Sequence, residues 1–297
     1  MGSQAVHIEP VLNISHEERS FCEGQANHVD YDGLDRLHYL GNYQRELPVN
    51  IARMMENAHD WEHLPFVHPS AFSAIEKIDS GAWGWRTKVE LPGSGETQLL
   101  QLLVDNEQNY WATTVLFGSG QGVHIHTQAT SISDEKISVD VRFYLEEKPV
   151  SVEMATMTHG YLQALYAQLY DEDQVLMTGR QQALDRRSET AVTEMDTLEL
   201  GLVEDLQQAL PIVFDFQDNR YCLNQWKGEW VVYGATCPHL LGPLGDGTVG
   251  EDGSVSCPWH GYRFDIKSGR NLDGKCGDLP TPPQVEERSG YIIIKPC

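Results

Sequence analysis

Cysteine and histidine residues occur together in two short clusters in the last quarter of the sequence. The first cluster reads Cys237-Pro238-His239, and the second reads Cys257-Pro258-Trp259-His260. Two thiolates and two imidazoles in such paired spacings can hold a [2Fe–2S] cluster, with both cysteines on one iron and both histidines on the other. The spacing therefore indicates a protein that transfers electrons.

A structural zinc ion is the alternative for these four side chains, because Cys₂His₂ sets also suit tetrahedral Zn²⁺. Zinc modules usually group Cys with Cys and His with His, whereas each loop here supplies one of each. A proline follows each cysteine and restricts its loop, and nearby glycines allow the backbone to approach the sulfur atoms. We therefore favour the iron–sulfur interpretation, with four predicted ligands: Cys237, His239, Cys257 and His260.

A second set of polar residues lies in the segment Met55–Pro69. Asn57, Asp60 and His63 are spaced by three residues, so they share one side of the helix predicted there. A following proline is expected to end that helix and to bring His68 nearby. Two imidazoles and one carboxylate form the facial triad of non-haem Fe(II) oxygenases, which leaves positions open for O₂. This spacing alone is more typical of surface or capping histidines, but next to a cluster motif it predicts an iron site.

The third ligand is predicted from helical periodicity further along the chain. Four apolar residues and one acid form a single stripe of a predicted helix: Leu162, Tyr166, Leu169, Asp173 and Leu176. A carboxylate in an apolar stripe is costly to bury without a cation, and Fe(II) would supply one. Asp171 lies on a more polar face, and Glu172 is the nearest alternative ligand. We therefore predict His63, His68 and Asp173 as the iron ligands.

Both metal motifs resemble those of known families. The segment from about Leu200 to Lys295 resembles the Rieske domain of bacterial ring-hydroxylating oxygenases and their ferredoxins, including Tyr262-Arg263-Phe264-Asp265 and Gly274-Lys275-Cys276. Respiratory-type Rieske domains carry an extra Cys in each loop and a Ser after the second His, which this sequence lacks. Fewer hydrogen bonds to the sulfur atoms imply a reduction potential of roughly −150 mV, which suits a donor to oxygen chemistry.

The pattern Glu-Asn-x-x-Asp-x-x-His-x-x-x-x-His resembles the catalytic domain of Rieske non-haem iron oxygenases of the aromatic-ring-hydroxylating and demethylase type. The resemblance implies that an external reductase reduces the cluster, which passes electrons to the mononuclear iron. It also implies that Asp60 joins His63 to His260 by hydrogen bonds, and that Asn57 lies near the iron. Family members usually begin with the Rieske domain, so this chain has the reversed order. The family's ring of three subunits leads us to expect a homotrimer.

The elements that must position these residues follow from hydrophobic patterning. A helix is predicted over Leu47–Leu64 and a long helix over Met154–Arg187, and an acidic connector runs through Asp196–Glu204. Five strands are predicted between the helices: Trp83–Leu91, Glu96–Leu103, Tyr110–Phe117, Val123–Ala129 and Ile137–Leu145.

This order predicts an α+β protein. An N-terminal helix-grip (START-like) antiparallel sheet with a long helix surrounds an apolar pocket, and an all-β Rieske domain follows. The predicted boundaries are an N-terminal segment at 1–46, the catalytic domain at 47–199 and the Rieske domain at 200–297.

Several other residues in the first domain have less specific patterns. His124 and His126 alternate on a predicted strand, so they face the same way and either line the substrate pocket or form a polar strand face, which we favour. His59 is interpreted as a helix-surface residue. Trp61, Phe66 and Tyr166 are interpreted as core or pocket wall.

The charge of the chain limits its partners. The net charge of −23 argues against binding to nucleic acid or to an anionic membrane, because either would be repelled. No apolar run approaches the length of a membrane span and the N-terminus lacks a basic-then-apolar signal, so we expect a cytoplasmic protein. No nicotinamide or flavin fingerprint occurs, so a separate ferredoxin or NAD(P)H-dependent reductase is expected as the electron source.

Together these features predict an oxygenase component that uses O₂ and external electrons. It would monooxygenate a small apolar or aromatic substrate, by hydroxylation or oxidative demethylation. The alternative is a helix-grip ligand-binding module fused to a Rieske ferredoxin, which would act as an electron carrier or sensor without oxygenase chemistry.

Overall fold

The computed structural model describes residues 12–189 and 196–297, with no description of the side chains of residues 188 and 189. The chain divides into two units at Thr178 and Gly179, inside a long helix. The predicted domain boundary at residues 199 and 200 lies further along the chain and stays a prediction. Among the helices in the described ranges, none combines the length and the apolar character that a bilayer span needs.

The first unit is built on one antiparallel sheet of seven strands in the order β1-β7-β6-β5-β4-β3-β2. The strands β2 to β7 follow one another as neighbours, and β1 pairs with β7 at the far edge. Their bounds are β1 His38–Leu47, β2 Ala74–Gly81, β3 Gly84–Glu90, β4 Thr97–Asp105, β5 Tyr110–Gly118, β6 Val123–Ser133 and β7 Lys136–Leu145.

Among the described residues, four α-helices belong wholly or partly to this unit: α1 His16–Glu23, α2 Ile51–His59, α3 Leu64–Val67 and α4 Val152–Glu189. One side of α4 is buried, with Leu162, Tyr170 and Met177 almost inaccessible to solvent. Arg45 of β1 ties this helix to the sheet, because its Nη1 donates to the carbonyl oxygen of Ala167 at 3.1 Å. Residues of α4 are therefore presented to the sheet at helical spacing.

The predicted α+β class and the order of elements are confirmed. Each of the five predicted strands corresponds to an observed strand within a few residues, and the long helix spans Val152–Glu189 instead of Met154–Arg187. The sequence pattern missed β1 and β2, which are the two edges of the sheet. Edge strands keep polar residues on much of their surface, so their apolar alternation is weak.

The helix predicted over Leu47–Leu64 is wrong in its extent. Leu47 ends β1, and the helix runs only from Ile51 to His59. The indole N–H of Trp85 donates to the carbonyl oxygen of Ala58 at 3.0 Å and so satisfies a backbone group at the helix end. The proline expected to end this helix, Pro65, instead lies in the first turn of α3, where its missing N–H is tolerated.

The second unit contains three small antiparallel sheets and one short helix, α5 Val203–Ala209. The sheets have the orders β11-β10-β9, β12-β13-β14 and β15-β16-β8. Their bounds are β8 Leu198–Leu202, β9 Ile212–Phe216, β10 Asn219–Trp226, β11 Glu229–Gly234, β12 Thr248–Val249, β13 Ser254–Ser256, β14 Arg263–Asp265, β15 Gln284–Arg288 and β16 Tyr291–Lys295.

The acidic connector predicted over Asp196–Glu204 is also wrong in its extent. Leu198–Leu202 forms β8, which pairs with β16, and α5 starts at Val203. Leu198 and Leu200 pack against the apolar core of this unit, so Glu199 between them points away from it. Any connector is therefore confined to the residues before Leu198, of which 190–195 lie outside the described residues.

A buried arginine links the sheet of the first unit to the loop after α1. The side chain of Arg86 on β3 is 1% exposed and lies over the ring of Trp83. Its guanidinium donates to Gln101 Oε1 at 2.7 Å, to Asp79 Oδ2 at 2.9 Å, to the carbonyl oxygens of residues 25 and 26, and to Oδ1 of residue 27. Loss of this group would leave the buried Gln101 oxygen and four part-buried acceptors without this donor.

We predict that Arg86→Met destabilises the protein by about 3–5 kcal/mol, because the buried amide of Gln101 and the partly buried carboxylate of Asp79 lose their charged partner. Lys136→Met is the matched control, since Lys136 pairs with Glu46 on the surface with both side chains about half exposed. That change should cost about 0–1 kcal/mol. Chemical denaturation followed by circular dichroism measures both, and equal losses in the two variants would contradict the assignment.

Candidate metal centres

The two cysteine-containing loops of the second unit have the same backbone hydrogen bonds. In each loop the cysteine N–H donates to the carbonyl five residues later, from Cys237 to Gly242 and from Cys257 to Tyr262, both at 2.9 Å. The N–H four residues after each cysteine donates back to the cysteine carbonyl, also at 2.9 Å. That fourth residue is left-handed in both loops, and in the second loop it is a glycine. The loops therefore present their ligands in matching geometry.

The four predicted cluster ligands converge between these loops. Cys237, Cys257 and His260 are buried and His239 is half-buried. The rings of His239 and His260 lie 4.6 Å apart between centroids and nearly perpendicular to each other, and Tyr262 stacks on His239. A hydrogen bond between the two thiols lowers the pKa of Cys257 and raises the pKa of Cys237, so the two sulfur atoms lie close enough to share one site.

The space beside the sulfur atoms fits a cluster. A Cβ atom at Gly242 would lie 2.6 Å from Sγ of Cys257 and 3.1 Å from the ring of Trp259. Any side chain at this position would therefore occupy the space next to the sulfur. The donor set and the absence of a side chain both suit the [2Fe–2S] group.

The second centre lies in the first unit, where His63, His68 and Asp173 meet. One ligand atom from each of the three lies within 4.8 Å of the others, and all three residues are buried. Asp173 Oδ1 is 3.3 Å from Nε2 of His63 and 3.0 Å from Nε2 of His68. Within the described parts of the chain, this is the group of three such residues with ligand atoms spaced for a metal ion. Its role as a metal site stays a prediction.

Three separate elements bring these residues together. His63 precedes α3, His68 follows it, and Asp173 lies on the buried side of α4. Asp60 is in extended conformation at the end of α2, so it does not share a helix side with Asn57 and His63 as predicted. Asp60 nevertheless lies near His63, with Oδ2 at 3.5 Å from Nδ1. The further contact predicted between Asp60 and His260 stays a prediction.

A second carboxylate, which the sequence suggested only as an alternative ligand, contacts the other histidine. Glu172 Oε2 lies 2.7 Å from Nδ1 of His68, on the ring nitrogen that does not face Asp173. The sequence carries no signal for this contact, because it joins residues more than a hundred positions apart. Glu172 therefore lies outside the group of three.

The electrostatics of the second centre favour a cation. Burial alone lowers the pKa of His63, but the carboxylates of Asp173 and Asp60 outweigh this and raise that pKa to about 10. Burial raises the pKa of Asp173, and the two imidazoles outweigh it and lower that pKa. Both ring nitrogens of His63 are buried and make no hydrogen bond of good geometry. A divalent metal would satisfy these groups, so the residues fit an Fe(II) site.

A cavity of ≈ 110 Å³ opens beside these residues. Asn57, Asp60 and the three predicted iron ligands line it together with mainly apolar and aromatic side chains. The apolar and aromatic residues of this lining include Trp85, Leu102, Trp111 and Tyr166. The interpretation of Tyr166 as pocket wall therefore agrees with its position, and Asn57 lies in the same pocket.

The two histidines on β6 do not line the cavity beside the candidate iron site. His124 and His126 line a second cavity together with Ala112 and Thr114, whereas Thr113 lines the cavity at the iron site. Because neighbours on a strand point to opposite faces, the two cavities lie on opposite faces of the sheet. His59 contacts Asn106 and is absent from the lining of either cavity.

Comparison with known proteins identifies the second unit. Residues 196–288 match the family model described as the Rieske [2Fe-2S] domain. The chain is 39% identical over 103 residues to pheophorbide a oxygenase, chloroplastic, of Oryza sativa subsp. japonica, which is 33% of this chain and 18% of that protein. It is 26% identical over 101 residues to the ferredoxin component of the alkene monooxygenase system of Xanthobacter autotrophicus, which is 34% of this chain and 82% of that protein.

A solved structure also overlaps part of the chain. A START superfamily protein from Mycobacterium smegmatis covers 44% of this chain and 92% of its own, at 12% identity and a TM-score of 0.38. The family model covers the second unit alone, and the match to the rice oxygenase spans less than a fifth of that protein. The resemblance to Rieske proteins is confirmed, with the Rieske domain after the sheet-and-helix unit.

We predict that Gly242→Ala loses most of its cluster, because the added methyl group would occupy the space beside the Cys257 sulfur. Gly277→Ala is the matched control in the same unit, since a Cβ there would meet no atom within 4 Å. Iron and acid-labile sulfide content, with the visible and EPR spectra of the reduced protein, measure the outcome. Full cluster occupancy in Gly242→Ala would place the cluster elsewhere.

Proposed function

We propose that this chain is the oxygenase component of a Rieske-type system, with a Rieske cluster in the second unit and a mononuclear Fe(II) in the first. The observation that carries the proposal is the buried group of His63, His68 and Asp173 beside an apolar cavity. Similarity to pheophorbide a oxygenase in a Rieske-domain match supports an oxygenase role. We do not assign the substrate of pheophorbide a oxygenase to this chain, because the match covers only 18% of that protein.

In this proposal Nε2 of each histidine and a carboxylate oxygen of Asp173 hold the iron. Iron held by two histidines and one carboxylate retains open positions, and it supplies O₂ activation beside an organic substrate. Asp60, whose Oδ2 lies 3.5 Å from Nδ1 of His63, would orient that ring as the partner of a ligand. Burial of all three ligands keeps bulk water away from the iron.

The cavity sets the substrate class. Its walls are mainly apolar and aromatic, so binding selects an apolar or aromatic group placed next to the iron. A volume of ≈ 110 Å³ admits only a small group at this point. We propose monooxygenation, by hydroxylation or oxidative demethylation. One oxygen atom enters the substrate and the other leaves as water, with two electrons and two protons supplied from outside.

Electrons have to come from another protein. We propose that an external ferredoxin or an NAD(P)H-dependent reductase supplies them. The two Cys and His loops would hold the cluster that accepts these electrons, and Asp60 and His260 would link it to the iron. The reversed domain order leaves each metal set intact. We retain the homotrimer as the proposed assembly, in which the cluster of one subunit serves the iron of its neighbour.

An electron carrier is the second candidate function. The similarity to the alkene monooxygenase ferredoxin component covers 82% of that protein, so the Rieske domain alone resembles a complete carrier. In this alternative the first unit binds a ligand in its cavity without iron. The iron content of the protein separates the two candidates.

We predict about three iron atoms per chain in protein purified without oxygen, since a [2Fe–2S] cluster accounts for about two of them. His63→Ala and Asp173→Asn should each reduce the content to about two and leave the EPR spectrum of the cluster unchanged. Asp171→Asn is the matched control, because Asp171 is exposed and pairs with Arg45 instead of the histidines. A wild-type content of about two iron atoms, with unchanged binding in all variants, would favour the carrier.

We also predict that Asp60→Asn slows electron transfer between the centres by orders of magnitude. The amide keeps the shape of the side chain but removes its charge and one acceptor next to His63. Both metal groups should remain bound, and an external donor should still reduce the cluster. Single-turnover oxidation of the pre-reduced cluster with substrate and O₂ measures the rate. Wild-type rates in this variant would show that electrons take another route.

A further inference from the structure

His68 has a carboxylate on each side of its ring. Its Nε2 faces Asp173 at 3.0 Å, and its Nδ1 faces Glu172 Oε2 at 2.7 Å. Both carboxylates can only accept, and the Nε2 position that faces Asp173 is the one that the proposed metal ion would take. With metal at Nε2, the ring keeps its proton on Nδ1, which donates to Glu172. The short distance is typical of a charge-assisted hydrogen bond.

Glu172 is itself held in place. Its other oxygen, Oε1, accepts a hydrogen bond from Nε2 of Gln168 at 3.0 Å. The same amide nitrogen donates to Oγ of Ser70 at 2.7 Å, and Ser70 follows His68 in the chain by two residues. Ser70, Gln168, Glu172 and His68 therefore form a closed set of contacts between the segment after α3 and the side of α4.

The two predicted iron-binding histidines are held unequally. Nδ1 of His63 is 3.5 Å from Asp60 and makes no good hydrogen bond, whereas Nδ1 of His68 is 2.7 Å from Glu172. Because Nδ1 and Nε2 point to different sides of an imidazole, Glu172 cannot bind a metal at Nε2 while it accepts from Nδ1. Glu172 therefore contacts the side of His68 that faces away from the proposed metal, so it would touch a metal ligand and not the metal itself.

We propose that Glu172 is a positioning residue for the mononuclear iron. It fixes His68 in the tautomer whose Nε2 is free to bind metal, orients the ring toward Asp173 and increases the basicity of Nε2. The inference rests on the proposed function, since it concerns the same iron. It assigns a role to a carboxylate that the sequence offered only as an alternative ligand.

The test measures Fe(II) affinity of the full chain, with its cluster intact and the mononuclear iron removed, by anaerobic competition with a chelator. Glu172→Leu should weaken Fe(II) binding by about 10–100-fold, because Nδ1 loses its acceptor. Glu172→Gln should recover most of the affinity, because its amide oxygen still accepts. Asp171→Asn, one residue away and directed toward Arg45, should bind as wild type does.

A second readout follows the histidine itself. With Zn(II) as a diamagnetic probe, ¹⁵N NMR of the imidazoles should show His68 protonated at Nδ1 in wild type and in Glu172→Gln. In Glu172→Leu the Nδ1 proton of His68 should exchange faster with water. The His68 signal can be assigned because it disappears in His68→Gln. A merely structural contribution of Glu172 would leave this signal unchanged.

The outcomes separate the two proposals. If wild type binds no Fe(II) at this site, the proposed function fails. If wild type binds Fe(II) and Glu172→Leu binds it equally well, or Asp171→Asn loses as much affinity, the positioning role is overturned. Should Glu172→Leu unfold, Gln168→Met replaces it, since it removes the donor to Oε1 and should weaken binding by a smaller factor. Wild-type Fe(II) affinity in Gln168→Met, together with an Nδ1 proton that exchanges no faster than in wild type, would then reject the role.

Discussion

The burial of the Asp173 carboxylate between two imidazoles is the interaction on which the arrangement of the first unit depends. An isolated carboxylate on the buried side of a helix would be destabilising by several kcal/mol, so it needs positive charge in contact with it. His63 and His68 lie at the two ends of the short helix α3 with their Nε2 atoms 3.3 Å and 3.0 Å from the same Asp173 oxygen, so a cation held by these three groups would meet that need. Helix α4 must therefore keep one rotational setting against the sheet, which Arg45 also supports.

The two candidate centres are held in different ways. In the second unit the predicted cluster ligands lie on two loops with matching backbone hydrogen bonds, so the main chain sets the position of each cysteine. In the first unit the predicted iron ligands come from the two ends of α3 and from a distant helix, so side-chain contacts set their geometry. A change in one side chain beside the candidate iron site is therefore expected to move a predicted ligand, whereas the two cysteine loops should resist such changes unless a side chain enters the space beside sulfur.

The carboxylates around His63 and His68 also suggest a division of roles. Asp60 lies at a helix end in extended conformation and contacts His63 at a longer distance. Glu172 is held on both oxygens and contacts His68 closely. Asp60 makes the longer contact and Glu172 the closer one, so Glu172 is the carboxylate better placed to fix the orientation of its histidine.

Features that depend on neighbouring residues could be predicted from the sequence alone. Short spacings in the sequence indicate the two Cys and His loops, the His63 and His68 pair and the five central strands. The helical period distinguished Asp173 from the acids beside it. Other features depend on residues far apart in the chain. The edge strands β1 and β2 carry weak patterns because half of their surroundings is solvent. The end of α2 at His59 depends on an indole N–H from β3, and the contact of Glu172 with His68 depends on how α4 is rotated against α3. Only the tertiary structure decided these, because a hydrogen bond between distant residues leaves no periodic trace in either segment.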